Sequence, residues 1–209
     1  MQPRYERKYY LSAQTAELLK RRAASVLTPD PHSEGGRYWV HNLYFDDIYY
    51  SAYNEKQSSA FSRDKYRLRF YNGNLDYIRL EHKHKEGELT FKRSANVTEE
   101  QYQRLAHGDL RCVDFFGKRG VNGLRPVIAF KYLREAYYHD TAGARLTFDS
   151  QIAGGRCAGV LELKYNRFIP SFVSEMFSGF RLTMTETSKY CIALEARLKY
   201  HDGITGTVL

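Results

Sequence analysis

The chain has 209 residues, with 43% apolar and 27% charged side chains, so it can bury a core as one domain or one large domain with peripheral helices and is not a disordered tail. Lys and Arg number 32 against 24 Asp and Glu, a net charge of +8 that fits a polyanionic partner: nucleic acid, an anionic membrane surface or a phosphate-rich small molecule. Apolar runs such as Val127-Ile128-Ala129-Phe130 fall far short of the roughly 20 residues of a membrane span, and the charged start lacks the apolar run of a secretion signal, so a cytoplasmic protein is expected.

Arg4 to Leu11 reads as a short tyrosine-rich strand with Glu6 and Lys8 on one face. Ser12 is placed to cap a helix from Ala13 to about Val26, with Leu18, Leu19, Ala23 and Val26 near one stripe, and Thr28-Pro29-Asp30-Pro31-His32 ends it. Its basic run Lys20-Arg21-Arg22 reads as a solvated face and is assigned no function. A strand follows from Arg37 to Phe45, then a polar connection from Ile48 to Arg63. Beyond it the pattern sharpens: Lys65, Arg67 and Arg69 alternate with Tyr66, Leu68 and Phe70. After the turn signal Asn72-Gly73-Asn74, Arg79, Glu81, Lys83 and Lys85 alternate with Ile78, Leu80, His82 and His84. Glu86-Gly87 closes a second hairpin into Leu89-Thr90-Phe91-Lys92-Arg93.

Opposed residues of an antiparallel pair share a face, so Arg67 and Arg69 join Glu81 and Lys83 only if the first loop has an odd length. A three-residue loop with Gly73 in a left-handed conformation meets this, and a two-residue Glu86-Gly87 loop sets Glu81 across from Lys92. Thr98 and Gln101 form a capping box for a helix from Glu99 to about Ala106, with Gly108 just beyond its end. Residues 109–126 read as loop with a short helical turn. Strands resume at Val127 to Tyr138, Arg145 to Asp149 and Val160 to Tyr165, the last with Glu162 and Lys164 opposite Leu161 and Leu163. Helical stretches around Ser171–Ser178 and Ser188–Arg197 come last. Cys112, Cys157 and Cys191, with no Cys-x-x-Cys, read as reduced core thiols.

At least five strands thus carry one apolar and one charged face: Glu6 with Lys8, Lys65 with Arg67 and Arg69, Glu81 with Lys83, Lys92, and Glu162 with Lys164. A solvated sheet face accounts for any one of them. Like charges stacked across neighbouring strands are destabilising, by tenths of a kcal/mol to about 1 kcal/mol per pair, so an anion is expected to offset them. Glu6, Glu81 and Glu162 offer oxygen ligands for a divalent cation, or serve as salt-bridge partners of the adjoining cations. His82 and His84, between lysines on an alternating strand, are expected to face the helix layer and not to ligate a metal. No Gly-rich nucleotide-cradling loop is present, so nucleotide recognition has to come from triphosphate contacts.

Tyr5-Glu6-Arg7-Lys8-Tyr9, Leu43-Tyr44-Phe45-Asp46-Asp47, Lys65-Tyr66-Arg67-Leu68-Arg69-Phe70-Tyr71-Asn72, Leu80-Glu81-His82-Lys83, Lys92, Tyr132-Leu133-Arg134-Glu135-Ala136, Leu161-Glu162-Leu163-Lys164-Tyr165 and Ser188-Lys189-Tyr190 occur in this order between Arg4 and about Leu194. The set resembles the polyphosphate-polymerase domain of the vacuolar transporter chaperone family. The resemblance implies an α+β fold in one domain over all 209 residues: a closed antiparallel β-barrel, the triphosphate tunnel, with a basic lumen and helices packed outside. The apolar faces would then turn outward beneath the helices.

It also implies transfer of the terminal phosphoryl group of ATP to a growing inorganic polyphosphate chain, with manganese or magnesium as the metal. ATP and polyphosphate are then the partners, with no specific nucleic acid, and association with a membrane protein stays open. Position by position, the resemblance gives Lys8, Arg67, Arg69, Lys83, Lys92, Arg134 and Lys164 phosphate-binding catalytic roles, Tyr132, Ser188 and Lys189 substrate contacts, and Glu162 the metal. Lys65, Glu81 and Glu6 lie on the same faces, Lys65 as a further substrate contact and the two glutamates as further metal ligands.

The chain departs from the wider tunnel pattern Glu-x-Glu-x-Lys, because Arg4 stands where the first acidic ligand would be. The resemblance also implies a basic residue in the connection after Tyr44-Phe45-Asp46, for which Lys56 and Arg63 are both candidates that spacing does not decide between, and a longer stretch between Asp149 and Val160 than this chain has. Two other functions share these features: a triphosphatase on the same fold, in which water attacks, and a non-catalytic binder of polyphosphate or RNA.

Overall fold

A computed structural model of the chain describes residues 5–87, 89–117, 120, 123–152, 159–186 and 188–205. Its strands are β1 (Tyr5–Leu11), β2 (Thr28–Pro29), β3 (Tyr38–Asp46), β4 (Ser62–Tyr71), β5 (Asn74–Glu86), β6 (Leu89–Val97), β7 (Arg125–His139), β8 (Ala144–Ser150), β9 (Gly159–Tyr165) and β10 (Thr183–Met184). They form a ten-stranded sheet in the order β10-β1-β9-β8-β7-β3-β4-β5-β6, with β2 also on β7. The strand pairs with a described register are antiparallel. The helices are α1 (Ala13–Val26), α2 (Ser51–Gln57), α3 (Glu99–Ala106), α4 (Ser171–Met176) and α5 (Lys189–Thr205). The fold is thus α+β. The chain divides into two compact units, Met1–Trp39 with Tyr132–Ser188 and Val40–Lys131 with Lys189–Leu209.

In the first unit, alternation along β1, β9 and β8 sorts the sheet into two faces. Leu11, Leu146, Phe148, Leu161 and Leu163 share a core with Leu19 and Ala23 of α1 and Val173 and Met176 of α4. Burying each Leu or Phe contributes roughly 1.5–3 kcal/mol, which is what fixes the face. Helix α1 starts where expected, the Ser12 Oγ accepting from the Thr15 N–H at 3.1 Å. The basic run on this helix is not simply solvated. Lys20 reaches Glu135 at 2.5 Å, and Arg22 donates to the Met176 and Ser178 carbonyls at 2.9 and 2.8 Å, tying α1 to the end of α4. Arg21 remains exposed.

In the second unit, Leu43, Phe45, Leu68, Phe70, Ile78, Leu80 and Val97 form the apolar face, packed on Leu105 of α3 and on Leu110, Phe115 and Phe116. Thr98 and Gln101 close the expected capping box. Both hairpins differ in detail from the sequence reading. Asn72 and Gly73, at φ +51° and +76°, make a two-residue turn closed by Tyr71 and Asn74. These positive angles suit the right-handed twist of the strands. The odd offset needed for face matching comes instead from a register irregularity between Arg69 and Tyr71. In the second hairpin Glu86 pairs with Leu89, so Lys92 stands opposite Lys83, and Glu81 opposite Ser94. The expected Glu81–Lys92 pairing is therefore shifted by two residues, which keeps the faces unchanged.

Helix α2 lies inside what reads as a plain polar connection. Its caps come from outside the helix: Asp46 Oδ1 accepts from the Ala52 N–H at 2.9 Å and Oδ2 from the Tyr53 N–H at 3.3 Å. Tyr50, at the N-cap position, has a left-handed backbone and makes no side-chain cap. Within residues 109–126 a helical turn occurs at Leu110–Cys112, and Gly117, Gly120 and Gly123 are helical as well, while residues 118, 119, 121 and 122 lie outside the described residues. Cys112 and Cys191 are free thiols, and Cys157 lies outside the described residues, as does most of the stretch between Asp149 and Val160. Among the described residues no helix is long and apolar enough to cross a membrane.

Candidate active site

The charged face of the second unit is built on β3 to β6. Register places Tyr44, Arg67, Glu81 and Ser94 in one cross-strand row, and Asn42, Arg69, Arg79 and Asn96 in the next. A further row holds Lys65, Lys83 and Lys92. Arg67 Nε donates to Glu81 Oε2 at 2.6 Å and Nη1 to the Tyr44 hydroxyl at 2.9 Å, while Lys92 Nζ meets Glu81 Oε1 at 2.5 Å. Burial works to raise the Glu81 pKa, but Arg67, Arg69 and Lys92 outweigh it and hold the carboxyl well below the usual carboxylate range. Glu81, offered above as a metal ligand, is thus engaged by two cations. Arg69 is buried and donates to Asn42 Oδ1 at 3.2 Å.

Lys189 opens α5, and the next residue, Tyr190, borders this face. Tyr190 stacks on Tyr44 at 5.0 Å between ring centres and lies 5.8 Å from Lys65 Nζ. Its hydroxyl donates to Asp46 Oδ2 at 2.5 Å. Burial first, and the adjoining Asp46 second, push the Tyr190 pKa far up, so the phenol stays a donor. Of the two residues left open in the connection, Arg63 falls on the face of Lys65, Arg67 and Arg69 by parity, whereas Lys56 is on α2. Arg63 is 9% exposed and stands opposite Lys85 of β5.

The charged face of the first unit pairs Lys8 with Glu162 and Glu6 with Lys164 across β1 and β9. Their side chains form a chain of ion pairs: Lys8–Glu6 at 2.5 Å, Glu6–Lys164 at 3.7 Å and Lys164–Glu162 at 3.0 Å. On the far side Glu162 stands opposite Thr147 of β8. Arg134 of β7 is gripped by Asp149 through two bonds, Nε to Oδ1 at 2.6 Å and Nη2 to Oδ2 at 2.8 Å, and its guanidinium lies over the Tyr132 ring at 5.3 Å. Burial disfavours its charge, yet Asp149, Tyr132 and Glu162 raise its pKa well above the ordinary value. Ser188 belongs to this unit and immediately precedes α5. Arg4 lies outside the described residues.

Asp149, Asp46 and Asn42 are absent from the set read in sequence, although each orients a residue of these faces. Asp149 had a usable signal, since it shares parity with Arg145 and Thr147 on one strand. Thr147 gives a test of whether a cation fits. Its Oγ1 is buried and has no hydrogen-bond partner among the described residues, and Thr147 stands opposite Glu162. A carboxylate and a spare hydroxyl are an all-oxygen donor set, which suits a hard divalent ion.

His82 and His84 do lie on the apolar side of β5, as parity requires, but they are not merely packed there. Both meet Asp64, and the three form a group whose side-chain donors could hold a metal ion.

Residues 3–198 match the family model of the VTC domain, and the chain belongs to that family. A crystal structure from Bacillus halodurans, provisionally assigned as an adenylate cyclase, is similar at a TM-score of 0.50 and 14% identity. The similarity covers 82% of this chain and 84% of that one, and shows the fold alone. No curated protein matches the chain in sequence.

Proposed function

We propose that the chain is a metal-dependent polyphosphate polymerase that transfers the terminal phosphoryl group of ATP to a growing inorganic polyphosphate. The observation that carries this reading is the row Lys65–Lys83–Lys92 beside Arg67 and Arg69. Three lysines in direct cross-strand succession repel one another, and a polyphosphate anion offsets that repulsion. Membership of the VTC family supports phosphoryl transfer as the reaction class. Closure of the sheet into a channel lined by the charged faces is part of the proposal.

Phosphoryl transfer asks a protein to align the attacking and leaving oxygens and to stabilise charge on the transferred group, with no covalent nucleophile. The forks of Arg63, Arg67, Arg69 and Arg134 and the ammonium groups of Lys8, Lys65, Lys83, Lys92 and Lys164 bind and orient phosphate oxygens. Tyr132, Ser188 and Lys189 add substrate contacts. Asp149 and Asn42 hold the arginines in place, so little reorganisation is needed when charge develops. Glu162, with Thr147 and with Glu6 nearby, would hold manganese or magnesium, which when bound polarises phosphoryl oxygens.

Incubation with ATP and manganese is expected to yield phosphate chains resolvable on a gel. Orthophosphate without chains would instead assign the triphosphatase. Glu162→Gln is expected to abolish turnover while tripolyphosphate binding persists. Polyanion binding without turnover in the unaltered protein, with any metal, overturns both enzymes in favour of a binder.

A further inference from the structure

Asp64, His82 and His84 gather at the β4–β5 ladder on the face opposite the lysine row. Asp64 pairs with His84 in register, and the next same-face pair is Tyr66 with His82. The three donors therefore come from adjoining cross-strand neighbours on a rigid part of the sheet. His82 Nε2 lies 2.6 Å and His84 Nδ1 2.9 Å from the same oxygen, Asp64 Oδ1. All the donor atoms lie within 4.8 Å of one another. Tyr66 stacks on His82 with ring centres 4.1 Å apart and planes 1° from parallel, which holds that imidazole in place. The Asp64 side chain is 49% exposed, so the cluster is open to ions from solvent.

We infer that Asp64, His82 and His84 form a binding site for a borderline divalent transition ion of the zinc class, clamping β4 to β5. Two imidazole nitrogens and one carboxylate oxygen are a donor set such ions take, with a fourth position left to water. Ion–donor distances of about 2.0–2.2 Å put tetrahedral donors about 3.3 Å apart. The observed 2.6 and 2.9 Å contacts open by less than about 1 Å to reach that spacing, and the two imidazole donors already lie within 4.8 Å of one another. The set differs in kind from the all-oxygen donors at Glu162, which favour a hard ion. A His-x-His pair on a single strand needs a third ligand from elsewhere, and the antiparallel register supplies it from a residue 18 positions upstream of His82.

Titration of the chelator-stripped full chain with zinc is expected to show one tight equivalent and a thermal midpoint that rises with zinc. Cobalt(II) is expected to give the intense visible absorption of a tetrahedral, nitrogen-liganded ion, in the unaltered protein and equally in the Glu162→Gln chain. Asp64→Asn and the double variant His82→Gln/His84→Gln should each weaken zinc binding at least about tenfold. Equal zinc affinity in the double variant and the unaltered protein overturns the assignment. So does the absence of the cobalt band from the unaltered protein, a result that does not depend on any variant folding.

Discussion

Lys83 stands directly across the β5–β6 ladder from Lys92 and, on its other side, from Lys65. Such a row is a poor way to stabilise a sheet and a good way to receive a polyanion. Lys83→Ala is therefore expected to change stability by less than about 1 kcal/mol without ligand, since relief of repulsion offsets lost contacts. The same variant should show a clearly smaller rise in melting temperature on adding tripolyphosphate. A parallel pair of melting curves checks both, and an undiminished ligand-induced rise removes Lys83 from the binding face.

Arg69 is buried, with one edge on Asn42. Arg69→Lys keeps the charge and loses the planar fork, so the rate of phosphoryl transfer should fall by about 10²–10³-fold. Steady-state kinetics with ATP and manganese read this directly, and a rate within about threefold of the unaltered enzyme would mean charge alone suffices.

Asp46 is 1% exposed and gathers the N–H groups of Asp47, Ala52 and Tyr53 and the Tyr190 hydroxyl. Asp46→Ala leaves those donors unsatisfied and should cost about 2–4 kcal/mol, while Tyr190→Phe, which removes a single donor, should cost about 1–2 kcal/mol. Urea denaturation of each variant gives the two values. A silent Tyr190→Phe would show that the phenol only fills space.

Glu81 supplies a pH test. Its folded-state pKa lies below the unfolded value of about 4.3, so its stabilising effect is complete above that pH and is lost as pH falls toward the folded-state value. The unaltered protein should lose urea resistance steadily below about pH 4. Glu81→Gln should be less stable at neutral pH, where Arg67 and Lys92 lose their anionic partner, and the gap should narrow on acidification. A gap that stays constant with pH contradicts the assignment.

The faces were legible because alternation over β4 and β5 is strict, and because parity survives an error of two residues. The Glu86–Leu89 closure shows this: the expected Glu81–Lys92 opposition was displaced, yet Lys92 still reaches Glu81. What stayed hidden was whatever depends on partners distant in sequence. Asp46 caps a helix several residues downstream and so leaves no local signature at Tyr50. Strands β2 and β10 span two residues each, too short to show a period. Asp64 gave no hint beside His82 and His84 because antiparallel pairing, and not sequence distance, makes them neighbours.

The ladder between β4 and β5 is regular from Ser62 to Arg69 and irregular only between Arg69 and Tyr71. One residue inserted in the regular part would rotate the segment before it by half a turn, carrying cations toward Leu105 and Phe116 and apolar groups toward solvent. At the irregular step the same insertion can be absorbed as a bulge. Relatives of this chain should accordingly vary in length near the Asn72-Gly73 tip and keep an invariant residue spacing from Arg63 to Arg69.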